Sequence, residues 1–294
     1  CRRKGRKQMD NLKAKKRHPE EIAVYSAIYV CAAFSVLLLL GIIVYVFAKG
    51  ARRVNWAFLT GVTSILHGTV GIAGNILNTL IIILLTMIIT TPIGVGAAIY
   101  LNEYAKPGKL VTVIIFATET LAGIPSIIFG LFGMLFFGQL CHMGYSLLTG
   151  SLTLTLMVLP LVTRNTQEAL KTVPDSFRTG AVGLGAGKWY TIRTILLPSA
   201  MPGIVTGVIL AIGRIIGESA ALLFTAGSAH LLPKTFDAFL EKIFHSGGTL
   251  TIQLYLSASK GEFEVAFGIA VVLLVIVLLI NFGTKRLAKK LEKH

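Results

Sequence analysis

The sequence predicts an all-α, polytopic membrane protein with six transmembrane helices, and three observations carry that reading. Only 14% of the 294 residues are charged, 54% are hydrophobic, and mean hydropathy is +0.76. That composition excludes both a disordered chain and an ordinary soluble globule. Six apolar runs, near residues 24–47, 72–101, 110–138, 145–167, 199–226 and 263–284, each reach the roughly 20 residues that a helix needs to cross about 30 Å of hydrocarbon. Nine of the 28 Lys and Arg residues fall at or before Arg17 and five after Thr284, beside apolar spans. This positive-inside pattern puts both termini in the cytoplasm and makes the number of spans even. The net charge of +15 is therefore a topology signal and not a nucleic-acid footprint.

The chain divides on this reading into a basic cytoplasmic tail (1–23), a first transmembrane helix with an external segment (24–71), the main transmembrane domain (72–284) and a second basic cytoplasmic tail (285–294). The first tail is a solvated charge run whose available partner is membrane lipid with anionic headgroups. Its first residue, Cys1, stands before a polybasic stretch and reads as a truncated or engineered start rather than a lipidated one. The first span is too long for the apolar core of a signal peptide and lacks a small-residue cleavage site, so it reads as a retained anchor. Cys31 and Cys141 form no CxxC pair and say nothing of redox compartment.

In the external segment, Trp56, Phe58 and Leu59 suit a short interfacial helix. The second span ends in a Pro92, Gly94 and Gly96 stretch that predicts a bent or closely packed end, and Tyr100, Asn102, Glu103 and Tyr104 then fall at headgroup level as anchors. The third span carries Glu119 about a third of the way in, followed by a break at Gly123-Ile124-Pro125-Ser126. Pro125 reads first as a structural kink, because a proline frees a carbonyl that neighbouring helices or a cavity must satisfy.

The fourth span closes with Pro160, Arg164, Asn165 and Glu168, ahead of the longest cytoplasmic loop. Within that loop Gly183-Leu184-Gly185-Ala186-Gly187-Lys188 imitates a phosphate loop. Val182 occupies the place of the first glycine and Trp189 the place of Ser or Thr, so the motif fails. The segment after the fifth span holds His230, Asp237, Glu241 and His245, whose spacing matches no compact metal-ligand set. Leu232, Phe236, Phe239, Leu240 and Ile243 recur there at helical spacing and predict a short amphipathic helix.

The fifth span is the unusual one. It places Arg214 and Glu218 in an apolar run, where an ionised side chain costs about 2.5 to 3.5 kcal/mol on insertion scales. At i and i+4 they share one face of a continuous helix, pointing inward, and Gly203, Gly207 and Ala211 continue that face. A stripe of small residues leading to a charge pair packs against other helices or lines a cavity, rather than meeting lipid.

The loop resembles the cytoplasmic signature of ABC importer permeases, EAA, three residues, Gly, nine residues, then Ile, any residue, Leu-Pro. Gly185 is followed by nine residues and then Ile195-Leu196-Leu197-Pro198, and Thr179-Gly180-Ala181 occupy the EAA positions, with Glu and the first Ala replaced. The resemblance implies a coupling helix over about 175–188 that docks on an ATPase subunit, with Thr179, Gly180, Ala181, Gly185, Leu197 and Pro198 as its signature residues. TLAGIPSIIFGLFG, EALKTVPDSFRTGAVGLGAGKW, AIGRIIGESAAL and LTIQLYL further resemble the A-type permease subunits of bacterial phosphate-specific ABC importers, from about residue 72 onward. A non-enzymatic permease subunit is then implied, working with a homologous second permease, two ATPase subunits and an extracytoplasmic phosphate-binding protein. No cofactor is expected on this chain, since ATP and Mg would belong to the ATPase subunits.

Arg214, Glu218, Ser219 and Glu119 are then the candidates for the substrate path. Arg presents a planar fork that matches phosphate oxygens. A carboxylate accepts a hydrogen bond from hydrogenphosphate and repels a fully deprotonated analogue such as sulfate. A structural role stands beside each assignment: Glu218 neutralising Arg214, and Glu119 bonding a neighbouring helix or partnering Arg214. A permease for sulfate, molybdate or phosphonate, or a secondary anion transporter, are the alternative functions.

Overall fold

The computed structural model describes residues 19–64, 69–106, 108–233 and 235–291. Most of the amino-terminal basic tail, Cys1, Lys234 and the last three residues lie outside the described residues. The chain divides into two compact units, one up to Ala48 and one from Lys49 onward. The first is built on one helix, α1 (Pro19–Gly50), whose Val24, Tyr29, Phe34, Leu37 and Val44 are all exposed. A helix that is apolar all round suits lipid and not water.

The second unit opens with a 3-10 turn at Ala51–Arg53 and the short helix α2 (Trp56–Thr60). Asn55 starts α2 because its side chain accepts from the Phe58 N–H at 2.8 Å, satisfying one of the unpaired donors of a helix start. Phe58 is buried while Trp56 is exposed. A two-stranded antiparallel hairpin follows, β1 (Val62–Ser64) with β2 (Thr69–Ile72), paired Val62 to Ile72 and Ser64 to Thr69. Among the described residues this hairpin is the sole departure from an all-α architecture.

The bundle proper runs α3 (Ala73–Ile99), α4 (Lys109–Gly123), α5 (Ser126–Gly133) and α6 (Leu147–Lys171). It continues through α7 (Asp175–Gly183), α8 (Lys188–Thr191), α9 (Leu197–Ile216) and α10 (Ala220–Thr225). The last elements are α11 (Phe236–Glu241), α12 (Leu250–Ser259) and α13 (Phe263–Leu291). π-helical turns prolong α3 over Tyr100–Tyr104 and α5 over Met134–Leu140, and join α8 to α9 over Ile192–Leu196. Among the described residues five helices are long and apolar enough to cross a membrane, and the pair α4 and α5 makes a sixth if counted as one broken span.

Two expected spans are not single helices. The third bends by 102° between α4 and α5, where Ile124 is extended and Pro125 cannot donate a backbone hydrogen bond. The fifth stops at Ile216, and α10 starts only at Ala220. Gly217 weakens the helix there, and the Glu218 carbonyl turns away to accept from Thr251 Oγ1 at 2.8 Å. Towards the carboxyl terminus, the expected amphipathic helix is shorter than its pattern: α11 begins after Thr235, whose side chain accepts from the Ala238 N–H at 3.3 Å, and excludes Leu232.

The core forms where α6 meets α3, α9 and α10, around Ile82, Leu154, Val158, Ala211, Ile215 and Leu222. Polar side chains are buried in it as well, among them Thr86, Thr149, Ser151, Thr153 and Thr155. Thr153 and Thr155 donate 2.8 Å bonds to the carbonyls of Thr149 and Ser151 one turn back. Small hydroxyl side chains satisfied by their own helix let membrane helices approach closely. The α9 stripe is a packing face of this kind. A Cβ added at Gly203 would stand 2.5 Å from Ala169 Cβ, and one at Gly207 2.6 Å from Asn165 Cβ, both on α6.

Candidate functional site

A cavity of about 240 Å³ opens among α4, α6 and α9. Thr118 and Glu119 line it from α4, Pro160 and Arg164 from α6, and Arg214 from α9. Phe129 of α5 belongs to the same wall, because the bend at Pro125 brings α5 across the bundle. Glu119, Arg164 and Arg214 are exposed side chains of this chain, and among the described residues none of the three forms an ion pair. Two guanidinium groups and one carboxylate thus face one space with hydrogen-bonding capacity in hand. Ten N–H donors from two Arg side chains suit an oxyanion, and the carboxylate adds an acceptor.

Glu119 and Arg214 are therefore brought together as the sequence suggested, but Glu218 and Ser219 are not with them. The i and i+4 relation fails because the helix ends between Arg214 and Glu218. Glu218 is 8% exposed, and its Oε1 accepts from the Ala221 N–H at 3.2 Å. It thereby satisfies a donor at the start of α10. Arg214 and Glu218 form no ion pair among the described residues. Ser219 faces a different pocket, of about 200 Å³, with Ile127, Phe224 and Tyr255. Arg164 is the residue that sequence reading missed. The sequence places it only at the close of the fourth span, and its signal is the Pro160-Arg164 pair one helical turn apart, which puts both on one face of α6.

At one end of the bundle α7 stands between the ends of α6 and α8. Its own apolar residues are not covered: Phe177 is 48% exposed, Val182 66% and, just beyond the helix, Leu184 91%. Thr179 and Gly180 are exposed as well, while Ala181 turns inward at 5%. Gly185 ends the helix with φ of +80°. Its N–H donates to Val182 O and the Ala186 N–H to Ala181 O, both at 2.9 Å, the paired bonds of a Schellman stop. Leu197 is half-buried, and Pro198, which has no N–H to donate, stands in the first turn of α9, close after the π-helical turn that joins α8 to α9.

The anchoring of α7 was not legible in the chain. Glu103, read as a headgroup anchor, meets Arg178 of α7 at 2.9 Å. Bonding to Glu103 holds the Arg178 guanidinium above its ordinary value. Beside them the Lys188 ammonium lies 4.7 Å from the Tyr104 ring centroid, a cation–π contact.

Residues 90–294 match the family model described as "Binding-protein-dependent transport system inner membrane component". The chain is 35% identical over 273 residues to the probable ABC transporter permease protein YqgI of Bacillus subtilis, covering 90% of this chain and 93% of that one. It is 34% identical over 244 residues to the phosphate transport system permease protein PstA of Xylella fastidiosa, covering 82% of each. Its fold is similar to a chain in the crystal structure of a bacterial alginate ABC transporter in complex with an alginate pentasaccharide-bound periplasmic protein, with a TM-score of 0.69, 13% identity, and 93% and 96% of the two chains covered. The family match and the identity to these permeases over most of its length agree: this chain belongs to the binding-protein-dependent transport system inner membrane components, as a multi-pass permease subunit of an ABC importer.

Proposed function

We propose that the chain carries inorganic phosphate inward across the bacterial cytoplasmic membrane, as one of two homologous permeases in an ATP-driven importer. The observation that supports this best is the cavity in which Arg164 and Arg214 stand with Glu119. Two Arg forks neutralise the charge of a divalent oxyanion, and Glu119 accepts a hydrogen bond from the hydroxyl that hydrogenphosphate keeps at neutral pH. The carboxylate role expected of Glu218 passes to Glu119, because Glu218 is committed to α10. Identity to the PstA protein supports the same substrate.

Both termini and α7 face the cytoplasm in this reading, on the distribution of basic residues. The exposed Phe177, Val182 and Leu184 dock on one of two ATPase subunits, which hold ATP and Mg, and an extracytoplasmic phosphate-binding protein delivers the substrate from the other side. Closure of the ATPase pair moves α7, and the bundle alternates the access of the cavity from one side to the other. The test is ATP-dependent phosphate uptake into vesicles carrying the assembled complex, with excess sulfate present. Uptake that ignores sulfate is expected. Uptake blocked by sulfate favours the second reading, a permease for sulfate, molybdate or phosphonate, which the identity to a permease of unspecified substrate also allows.

A further inference from the structure

The five guanidinium N–H groups of Arg178 are matched by five bonds. Nε and Nη2 donate to the two carboxylate oxygens of Glu103 at 3.4 and 2.9 Å. Nη2 also donates to Leu170 O at 3.1 Å, and Nη1 donates to Val173 O at 3.0 Å and Asp175 Oδ1 at 3.1 Å. Leu170 lies in the last turn of α6 and Val173 just beyond it, where the helix dipole favours a cation. Asn102 Nδ2 holds the Glu103 carboxylate in turn, at 2.8 Å. The pair is shielded, with the side chains 23% and 9% exposed, unlike the Lys171–Glu168 pair nearby at 59% and 64%. One side chain of α7 is thus bonded to the ends of two membrane helices: to the end of α3 at Glu103, 75 residues away in sequence, and to the end of α6 at Leu170, eight residues away.

Of those two helices α6 lines the cavity, and α3 packs against α6. Arg164 stands on α6 less than two turns from Leu170, and α3 packs along α6 through Gly94, where an added Cβ would meet Val162 at 2.9 Å. We infer that Arg178 and Glu103 are positioning residues that turn a shift of α7 into a joint movement of α3 and α6, and so reshape the cavity around Arg164. A lysine at 178 keeps the charge, but its three donors cannot reproduce the planar fork. The inference rests on the docking reading of α7 and is independent of which oxyanion is carried.

The test uses the whole complex in proteoliposomes, in a background where Cys1, Cys31 and Cys141 are Ser and Thr118→Cys reports on the cavity. Maleimide labelling of that cysteine is followed with and without ATP plus vanadate. A change of at least about fivefold in rate is expected with Arg178 intact. Arg178→Lys and Glu103→Gln should each reduce the change to less than about twofold, with the ATPase subunits still bound and basal ATP hydrolysis within about twofold of the parent. The double variant should be no worse than either single one, since both break the same link. A full labelling response in Arg178→Lys overturns the inference, as does loss of the ATPase subunits from that variant, which would make Arg178 a folding element only. Leu184→Asp tests the docking reading separately: release of the ATPase subunits is expected, and their retention overturns the docking surface while the Arg178 result still decides the link.

Discussion

Glu218 bonds to the backbone of Ala221 and not to Arg214. The carboxylate lies in the gap between α9 and α10, and its Oε1 accepts the Ala221 N–H at 3.2 Å. A buried acceptor in that position supports the start of the second helix, and removing it strands the donor. Glu218→Gln keeps an acceptor oxygen and is expected to preserve most phosphate uptake. Glu218→Ala should lower the stability of the solubilised complex by about 1 to 2 kcal/mol, read as a lower thermal midpoint. Abolished uptake with unchanged stability in Glu218→Gln would return Glu218 to the substrate path.

Arg164→Gln and Arg214→Gln should each reduce phosphate uptake by about tenfold to a hundredfold, since a hydrogen bond to a charged group is worth about 1.5 to 3 kcal/mol and about 1.4 kcal/mol is tenfold. Both side chains are exposed to the cavity, so assembly should be intact. Uptake by vesicles, normalised to complex content, is the measurement; wild-type rates in either variant would remove that Arg from the path.

Glu119→Gln separates selectivity from transport. An amide neither repels sulfate nor requires a proton on the ligand. Phosphate uptake should persist at a reduced rate, and excess sulfate should begin to inhibit it. Continued indifference to sulfate would show that selectivity lies elsewhere.

At Gly207 an added methyl would lie 2.6 Å from Asn165 Cβ, and at Gly213 nothing lies within 4 Å. Gly207→Ala should therefore cost about 1 to 3 kcal/mol by forcing α9 away from α6. Gly213→Ala should be neutral or stabilising, because alanine is the better helix former. Thermal unfolding of the two purified variants compares them directly, and equal midpoints would deny the close packing of α9 on α6.

Gly185 holds φ at +80° with open space around it, so any substitution is limited by the backbone and not by crowding. A left-handed conformation costs a non-glycine residue about 1 to 2 kcal/mol. Gly185→Val is expected to fray the end of α7 and lower the phosphate moved per ATP hydrolysed by several-fold. Unchanged coupling would count against the role of the Schellman stop in presenting Leu184.

The sequence by itself determined the class of this protein, the place of most of its spans and the place of its signature loop. Each of these depends on local quantities: the cost of placing an apolar or charged residue at a given depth, the handicap of proline inside a helix, and the spacing of Gly185 from Leu197-Pro198. It also marked Arg214 and Glu119 as unusual, because a charge in an apolar run is visible without any fold. Only the tertiary structure decided which charges meet. Helical periodicity paired Arg214 with Glu218, but a break at Gly217 cancels that periodicity, and a contact across the chain with Thr251 holds the break open. Arg164 joined the cavity and Glu103 joined Arg178 because helices distant in sequence pack side by side, and spacing within one helix does not say which other helix its face will meet.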